Sequence, residues 1–427
     1  MNDPYTEAPL DLDNREIRLV KLEHSTGSEP IKCSLRSYAI DGDSPAYIAL
    51  SYAWGPKKRY DDIQLNGISF PIGRSLWSFL SQMRKHHQYI TFWIDALSIN
   101  QANILEQNHQ VQMMRQIYSK AHSVWIWLGE ADHVTHSDIA MQFLETREPT
   151  DNKEIDHRKF WNPKKARAIA ALCERDYWKR IWIVQEILLA KKATILCGDK
   201  QTNWTKLLHL ISDVQAISDR GRAAHTVGVS RVLESPAAVI VQAKSQWNGS
   251  RQPLTKLLEL YRHQQSTDIR DKVYALHGLA HDSATIAVNY ALEPHALLIE
   301  VIYHACSTPP FPKQSKHDML RFATMMCQVL KVHCTEQELR FHISVARGEG
   351  IEKDYGLREK PELVIRHGTE HLQRFKCYRM GCKRTFLSSD ERATHMRVHM
   401  RDARRVLGPV IEDLGLEQEG RDEVVEE

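Results

Sequence analysis

The period of apolar and polar positions changes several times along the chain. Residues 17–22 (IRLVKL) and 47–54 (YIALSYAW) carry the aliphatic and aromatic bias of strands. In 75–86 (SLWSFLSQMRKH), Leu76, Phe79, Leu80 and Met83 recur at helical spacing. Residues 90–97 (ITFWIDAL) predict a second strong strand. Across 106–122, Val111, Met114, Tyr118 and Ala121 share one helix face, and 123–129 (SVWIWLG) predict a third strand ending at a glycine. Strand, helix, strand, helix, strand implies parallel pairing through helical crossovers. Near-continuous apolar strands suit a sheet covered on both faces. The expected fold class is α/β: a parallel sheet with flanking helices, then a mostly helical region and a small ββα zinc finger.

The segmentation follows from the same pattern. Residues 1–44 read as a lead-in with one strand, 45–200 as the α/β core, and 201–306 as a helical second half. Residues 307–374 form a linker and helical region, opened by a stretch (307–318) with three prolines and little apolar content. The finger spans 375–400. The tail, 401–427, has eight acids against one base in its last 17 residues and is expected to be solvated and disordered.

Composition excludes several classes. The 427 residues are 42% hydrophobic and 26% charged with a net charge of +3, which announces neither a membrane protein nor a dedicated nucleic-acid binder. No basic segment leading into an apolar run opens the chain, and no run of 18 apolar residues occurs. Eight cysteines, mostly scattered, do not make a disulfide framework. An intracellular setting, cytoplasmic or nuclear, and no membrane partner are therefore expected.

One cysteine pair does have a pattern. Cys377-x4-Cys382-x12-His395-x3-His399 places two thiolates on a hairpin and two imidazoles one helical turn apart, which suits tetrahedral Zn2+. This spacing resembles the C2H2 zinc finger, with Arg392 where that pattern has an apolar residue. The base-facing positions fall on Ser388, Glu391 and Thr394, with no Arg or Lys to address guanine, while the flanks are basic enough to meet phosphate. Nucleic acid is thus a partner that only the flanks recommend.

The other chemistry sits in 181–190 (IWIVQEILLA), where Gln185 and Glu186 interrupt an apolar helix. A carboxylate in apolar surroundings is costly unless paired, neutralised or used. Helical spacing puts Trp178, Trp182, Gln185, Glu186 and Leu189 on one face. In parallel α/β sheets, functional groups gather at the carboxyl ends of strands. Those ends carry Ser51, Tyr52, Trp54 and Gly55, then Asp95, Ser98 and Asn100. The predicted pocket is Ser51, Tyr52, Trp54, Asn100, Trp182 and Gln185, with Glu186 and Asp95 as catalytic candidates. The competing reading makes Glu186 a structural acid paired with Arg180, Arg270 or a helix N-terminus. In that reading Arg270 and Asp271 lock the second half onto the first.

Five blocks occur in order: 49–55 (ALSYAWG), 92–101 (FWIDALSINQ), 106–129, 177–190 (YWKRIWIVQEILLA) and 267–280 (TDIRDKVYALHGLA). Together they resemble the fungal heterokaryon-incompatibility (HET) domain family, over about 45–300. The resemblance implies non-self recognition during hyphal fusion with a growth-arresting or cell-death output. The chain departs from the family at Ser98, where cysteine is usual, and at Asn103, Glu106 and Gln107, where the family carries an Asp and then Glu-Arg.

The HET domain is distantly similar to the Toll/interleukin-1 receptor (TIR) fold, some of whose members cleave NAD with one glutamate in a W-x-x-x-E pattern. Trp182 and Glu186 have that spacing, and LSY lies at 50–52. Three readings stay open: an effector that cleaves NAD as substrate, an effector that works through protein partners or self-association, and a zinc-finger, nucleic-acid-associated regulator.

Overall fold

A computed structural model of the protein describes residues 3–24, 29–55, 60–86, 90–146, 162–219, 228–308 and 315–347. The finger ligands Cys377, Cys382, His395 and His399, and the acidic tail, lie outside the described residues. The chain divides into two compact units, Met1–Ala280 with Val288–Tyr290, and His281–Ala287 with Ala291–Glu427.

In the first unit the described strands are β1 (Glu16–Leu22), β2 (Lys32–Ala39), β3 (Ile48–Tyr52), β4 (Tyr60–Leu65), β5 (Ile68–Gly73), β6 (Thr91–Trp93), β7 (Ser123–Trp127), β8 (Ala193–Cys197) and β9 (Lys200–Asn203). They form one sheet in the order β5-β4-β2-β1-β6-β3-β7-β8-β9. The expected parallel pairing holds for β6-β3-β7-β8. The sheet as a whole is mixed, which corrects the expectation of a parallel sheet. β1 runs antiparallel to both β2 and β6, and β4–β5 and β8–β9 are hairpins.

Turn chemistry explains the hairpins. Asn66 and Gly67, between β4 and β5, have φ of 49° and 75°, the paired left-handed conformation whose twist matches a hairpin. Gly198, between β8 and β9, has φ of 57°, and a Cβ there would stand 2.7 Å from that of Ala131. The segment 1–44, expected as a lead-in with one strand, supplies both β1 and β2. They pair from Glu16↔Ala39 to Leu22↔Cys33, with Ile17 and Val20 fully buried.

The described helices of this unit are α1 (Arg74–His86), α2 (Asp95–Ser98), α3 (Ile104–Lys120), α4 (Ser137–Thr146), α5 (Pro163–Cys173), α6 (Trp182–Leu188), α7 (Trp204–Ile217), α8 (Val229–Leu233), α9 (Pro236–Gln246), α10 (Leu254–Tyr261) and α11 (Asp271–Tyr274). The strand expected over 90–97 stops at Trp93, because the chain turns into α2 at Asp95. The single helix expected to carry Trp178 through Leu189 is a 3-10 turn, Asp176–Lys179, followed by α6.

Successive side chains of a strand point to opposite faces. Leu50 and Tyr52 of β3 join a buried cluster with Phe79 and Leu80 of α1 and with Phe92, Trp125 and Trp127. Burying a phenylalanine such as Phe79 or Phe92 contributes roughly 1.5–3 kcal/mol each. The opposite face meets α3 and α6. There Tyr118 packs edge-on against Trp93 at 5.6 Å, and Ser51 meets Glu186.

In the second unit, α12 (Pro294–Ser307), α13 (Lys316–Leu330) and α14 (Glu336–Arg347) pack together, with Ile299 and Tyr303 of α12 against Val345 and Ala346 of α14. Among the described residues, no helix is long and apolar enough to cross a membrane.

Candidate functional site

Ile183, Val184, Ile187 and Leu188 sink α6 into the first unit and carry Glu186 in with them, only 3% exposed. The carboxylate is paired there. The Ser51 hydroxyl donates to Glu186 Oε2, and Ser51 Oγ lies 2.6 Å from the Tyr177 hydroxyl. Burial pushes Glu186 up to about 7; Arg180 and the Ser51 bond pull it down, and Asp95 adds to the rise.

Arg180 follows the 3-10 turn and donates to the backbone carbonyl of Tyr52. Burial opposes its charge, but Glu186 and then Asp95 hold the guanidinium above its ordinary value. Asp95 accepts the Trp54 indole N–H at 3.1 Å, the Ala96 N–H at 2.7 Å and a bond from the Tyr52 hydroxyl. Burial raises this second carboxyl and Arg180 lowers it, with a net rise. One guanidinium thus serves two carboxyl groups.

These groups open on a cavity of about 580 Å³. That size suits a ligand-binding pocket, typically about 300–1,000 Å³. Its walls include Trp54, Asp95, Arg180, Trp182 and Glu186, together with Asp268, Asp271 and Tyr290 from much later in the chain. Asp271 is pushed up to about 6 by burial, although it accepts the Tyr290 hydroxyl at 2.6 Å and a side-chain bond from Trp182. Arg270 forks onto Asp268 at 2.7 and 2.9 Å and donates to the Tyr290 carbonyl, fixing this wall.

Of the residues singled out from sequence, Glu186, Asp95, Trp54 and Trp182 line the cavity. Ser51 and Tyr52 stand behind it, bonded to the two acids. Gln185 points elsewhere. Its Oε1 accepts the Gly278 N–H at 3.0 Å, and Arg115 donates to the Gly278 carbonyl at 2.6 Å. Asn100 belongs to a turn; its N–H reaches Glu106 Oε1 at 2.6 Å and its Oδ1 takes the Ala102 N–H at 3.2 Å. Trp178, expected on the Glu186 face, is buried with its indole bonded to the Leu172 carbonyl at 2.9 Å. A continuous α-helix was assumed in that reading, and the tighter 3-10 turn before Trp182 rotates Trp178 away.

The positions that depart from the family pattern have work of their own. Asn103 caps α3 by accepting from Leu105 N and Glu106 N. Glu106 pairs with Arg18 at 2.5 Å, with side chains 5% and 2% exposed. Gln107 lines the cavity. Reading from sequence missed Tyr177 and Tyr290. Tyr177 lies in the same block as Glu186 and was open to notice; Tyr290 carries no local signal.

Among the described residues, no group of three or more His, Cys, Asp or Glu side chains is arranged to hold a metal ion.

Comparison with known proteins agrees with the first three ordered blocks and most of the fourth; the fifth, 267–280, lies beyond the matched family model. Residues 47–186 match the family model described as Heterokaryon incompatibility protein (HET), so the chain carries a HET domain. The match ends at Glu186, and Asp268, Asp271 and Tyr290 fall beyond it. The chain is 26% identical over 254 residues to heterokaryon incompatibility protein 6, OR allele, of Neurospora crassa. That alignment covers 49% of this chain and 37% of the relative, so the chain spans little more than a third of that relative's length. No solved structure matches.

Proposed function

We propose that this protein is a heterokaryon-incompatibility effector whose HET domain cleaves NAD in the cavity beside Glu186. The incompatibility setting is supported by the HET domain and by the name of the Neurospora relative. One observation carries the enzymatic part. A buried carboxyl group, raised to about 7, faces a ligand-sized cavity while Ser51 holds it and the Arg180 charge acts on it. A perturbed acid in a cleft is a candidate functional group.

The reaction breaks the bond between nicotinamide nitrogen and ribose carbon and adds water across it, giving nicotinamide, ADP-ribose and a proton. Departure of nicotinamide leaves an oxocarbenium-like sugar. Ionised Glu186 steadies that charge or holds the ribose hydroxyls, as a carboxylate does in glycoside hydrolysis. Ser51 and Arg180 set its orientation and ionisation. The Trp54 and Trp182 rings supply flat faces for the bases.

The test is nicotinamide release from NAD by the full chain, wild type against Glu186→Gln, with folding checked by circular dichroism. Release by the wild type alone supports the reading. No release from folded wild-type protein that still kills on induced expression overturns it, in favour of an effector acting through protein partners or self-association. The finger over 375–400 is proposed, from spacing alone, to bind one Zn2+ through Cys377, Cys382, His395 and His399. Metal analysis of the chain against Cys377→Ser tests that.

A further inference from the structure

The second unit holds a pair of thiols that the cavity chemistry does not use. α13 ends at Leu330, and Lys331 takes the left-handed conformation at φ of 53°. The Val332 N–H then returns to the Cys327 carbonyl at 2.9 Å, which closes the helix end and turns the chain back. The reversal brings Cys334 beside the side chain of Cys327, close enough for a thiol–thiol hydrogen bond. His295, in the first turn of α12, hydrogen-bonds to Cys334 as well. Both cysteines are free, Cys327 buried and Cys334 partly exposed.

We infer that Cys327 and Cys334 form a peroxide-reactive dithiol that closes to an intramolecular disulfide. The chemistry needs one oxidant, a hydroperoxide. The Cys327 sulfur, as thiolate, attacks a peroxide oxygen; the O–O bond breaks, and the departing hydroxide takes a proton to become water. The product is a sulfenic acid at Cys327. Cys334 gives its proton to His295 and attacks the sulfenyl sulfur. The S–O bond breaks, the leaving hydroxide recovers that proton as water, and the S–S bond forms. Two thiols lose two electrons, one peroxide gains them, and two waters result.

The assignment agrees with the surroundings of each thiol. The bond from Cys334 holds Cys327 below the ordinary thiol value, whereas donating to that partner pushes Cys334 up. A lowered value gives more thiolate, the attacking species. By contrast, burial pushes Cys33 and Cys173 up to about 12, and these stay inert. Only the short segment 328–333 separates the two sulfurs in the chain, so closing the ring demands little movement elsewhere.

Trypsin provides a direct readout, because Lys331 lies between the two cysteines. The full chain is treated with about one equivalent of hydrogen peroxide, denatured with N-ethylmaleimide and digested. The expected product is peptide 322–331 disulfide-linked to peptide 332–340, two hydrogens lighter than the separate peptides and split by reductant. Cys334→Ser is expected to leave a sulfenic acid at Cys327 that dimedone traps. Full maleimide labelling of both cysteines after peroxide overturns the inference. So does oxidation that modifies the scattered buried thiols as fast as this pair. The wild-type mapping stands whether or not the variant folds.

Discussion

The Ser51 hydroxyl donates to the Glu186 carboxylate, joining the end of a central strand to a helix 135 residues later in the chain. This bond holds one carboxyl group at the cavity wall, and the other groups around it decide its charge. The expected behaviour of the protein follows from that cluster and from two other buried contacts.

Glu186→Gln is expected to abolish NAD cleavage without weakening the fold. The carboxyl group is raised from 4.5 to about 7 in the folded protein. Below the unfolded value both states hold the proton. As pH rises from 4.5 through 7, the unfolded chain releases the proton first, so the wild type loses stability across that window. The loss is roughly 3 kcal/mol once both states are ionised. Glutamine does not titrate, so its advantage over glutamate is absent near pH 4.5 and largest near pH 8. Urea melts of both proteins at the two pH values measure it.

Ser51→Ala leaves the Glu186 carboxyl and the Tyr177 hydroxyl each short of a buried partner. The expected cost is about 1–3 kcal/mol. Because the serine bond lowers the Glu186 value, its loss moves the alkaline-going rise in NAD cleavage to higher pH. A rate–pH profile shows that shift, which simple loosening of the fold does not produce.

The Arg18–Glu106 pair is buried and doubly bonded, at 2.5 and 3.1 Å. Arg18→Met strands an acid in the core and is expected to cost about 3–5 kcal/mol. Arg18→Met with Glu106→Leu removes both charges and costs less than the single change. Arg18 also serves the Ala8 and Ser98 carbonyls, so recovery is incomplete. Thermal melts of the three variants rank them.

Gly278→Ala would place a Cβ 2.5 Å from Gln185 Oε1 and 2.9 Å from Arg115 Cβ. The clash is expected to cost roughly 1–3 kcal/mol. Gln185→Ala in the same chain clears the space, so the two changes together cost less than their sum. A double-mutant cycle reads that coupling.

Elements with a strong local period were legible. β3, β7 and α1 stand close to where the apolar pattern puts them. The Asn66-Gly67 dipeptide was also a plain hairpin signal, although it went unread. The place of β1 between β2 and β6 was not legible, because nothing in its seven residues names either neighbour. The site divides in the same way. Glu186 and Asp95 stand out because charge inside an apolar run is a local anomaly. Gln185 is the same kind of anomaly, but it holds the Gly278 backbone instead of lining the cavity.

By itself the sequence determined the apolar strands and helices, the ordered blocks of a HET domain and the unusual acid of α6. These depend on the period and identity of neighbouring residues. Tertiary structure alone decided the mixed direction of the sheet, the electrostatic action of Arg180 on both carboxyl groups, and the arrival of Asp271 and Tyr290 at the cavity. Each depends on which distant segments meet. It is the burial created by those meetings, not the glutamate itself, that moves Glu186 to about 7.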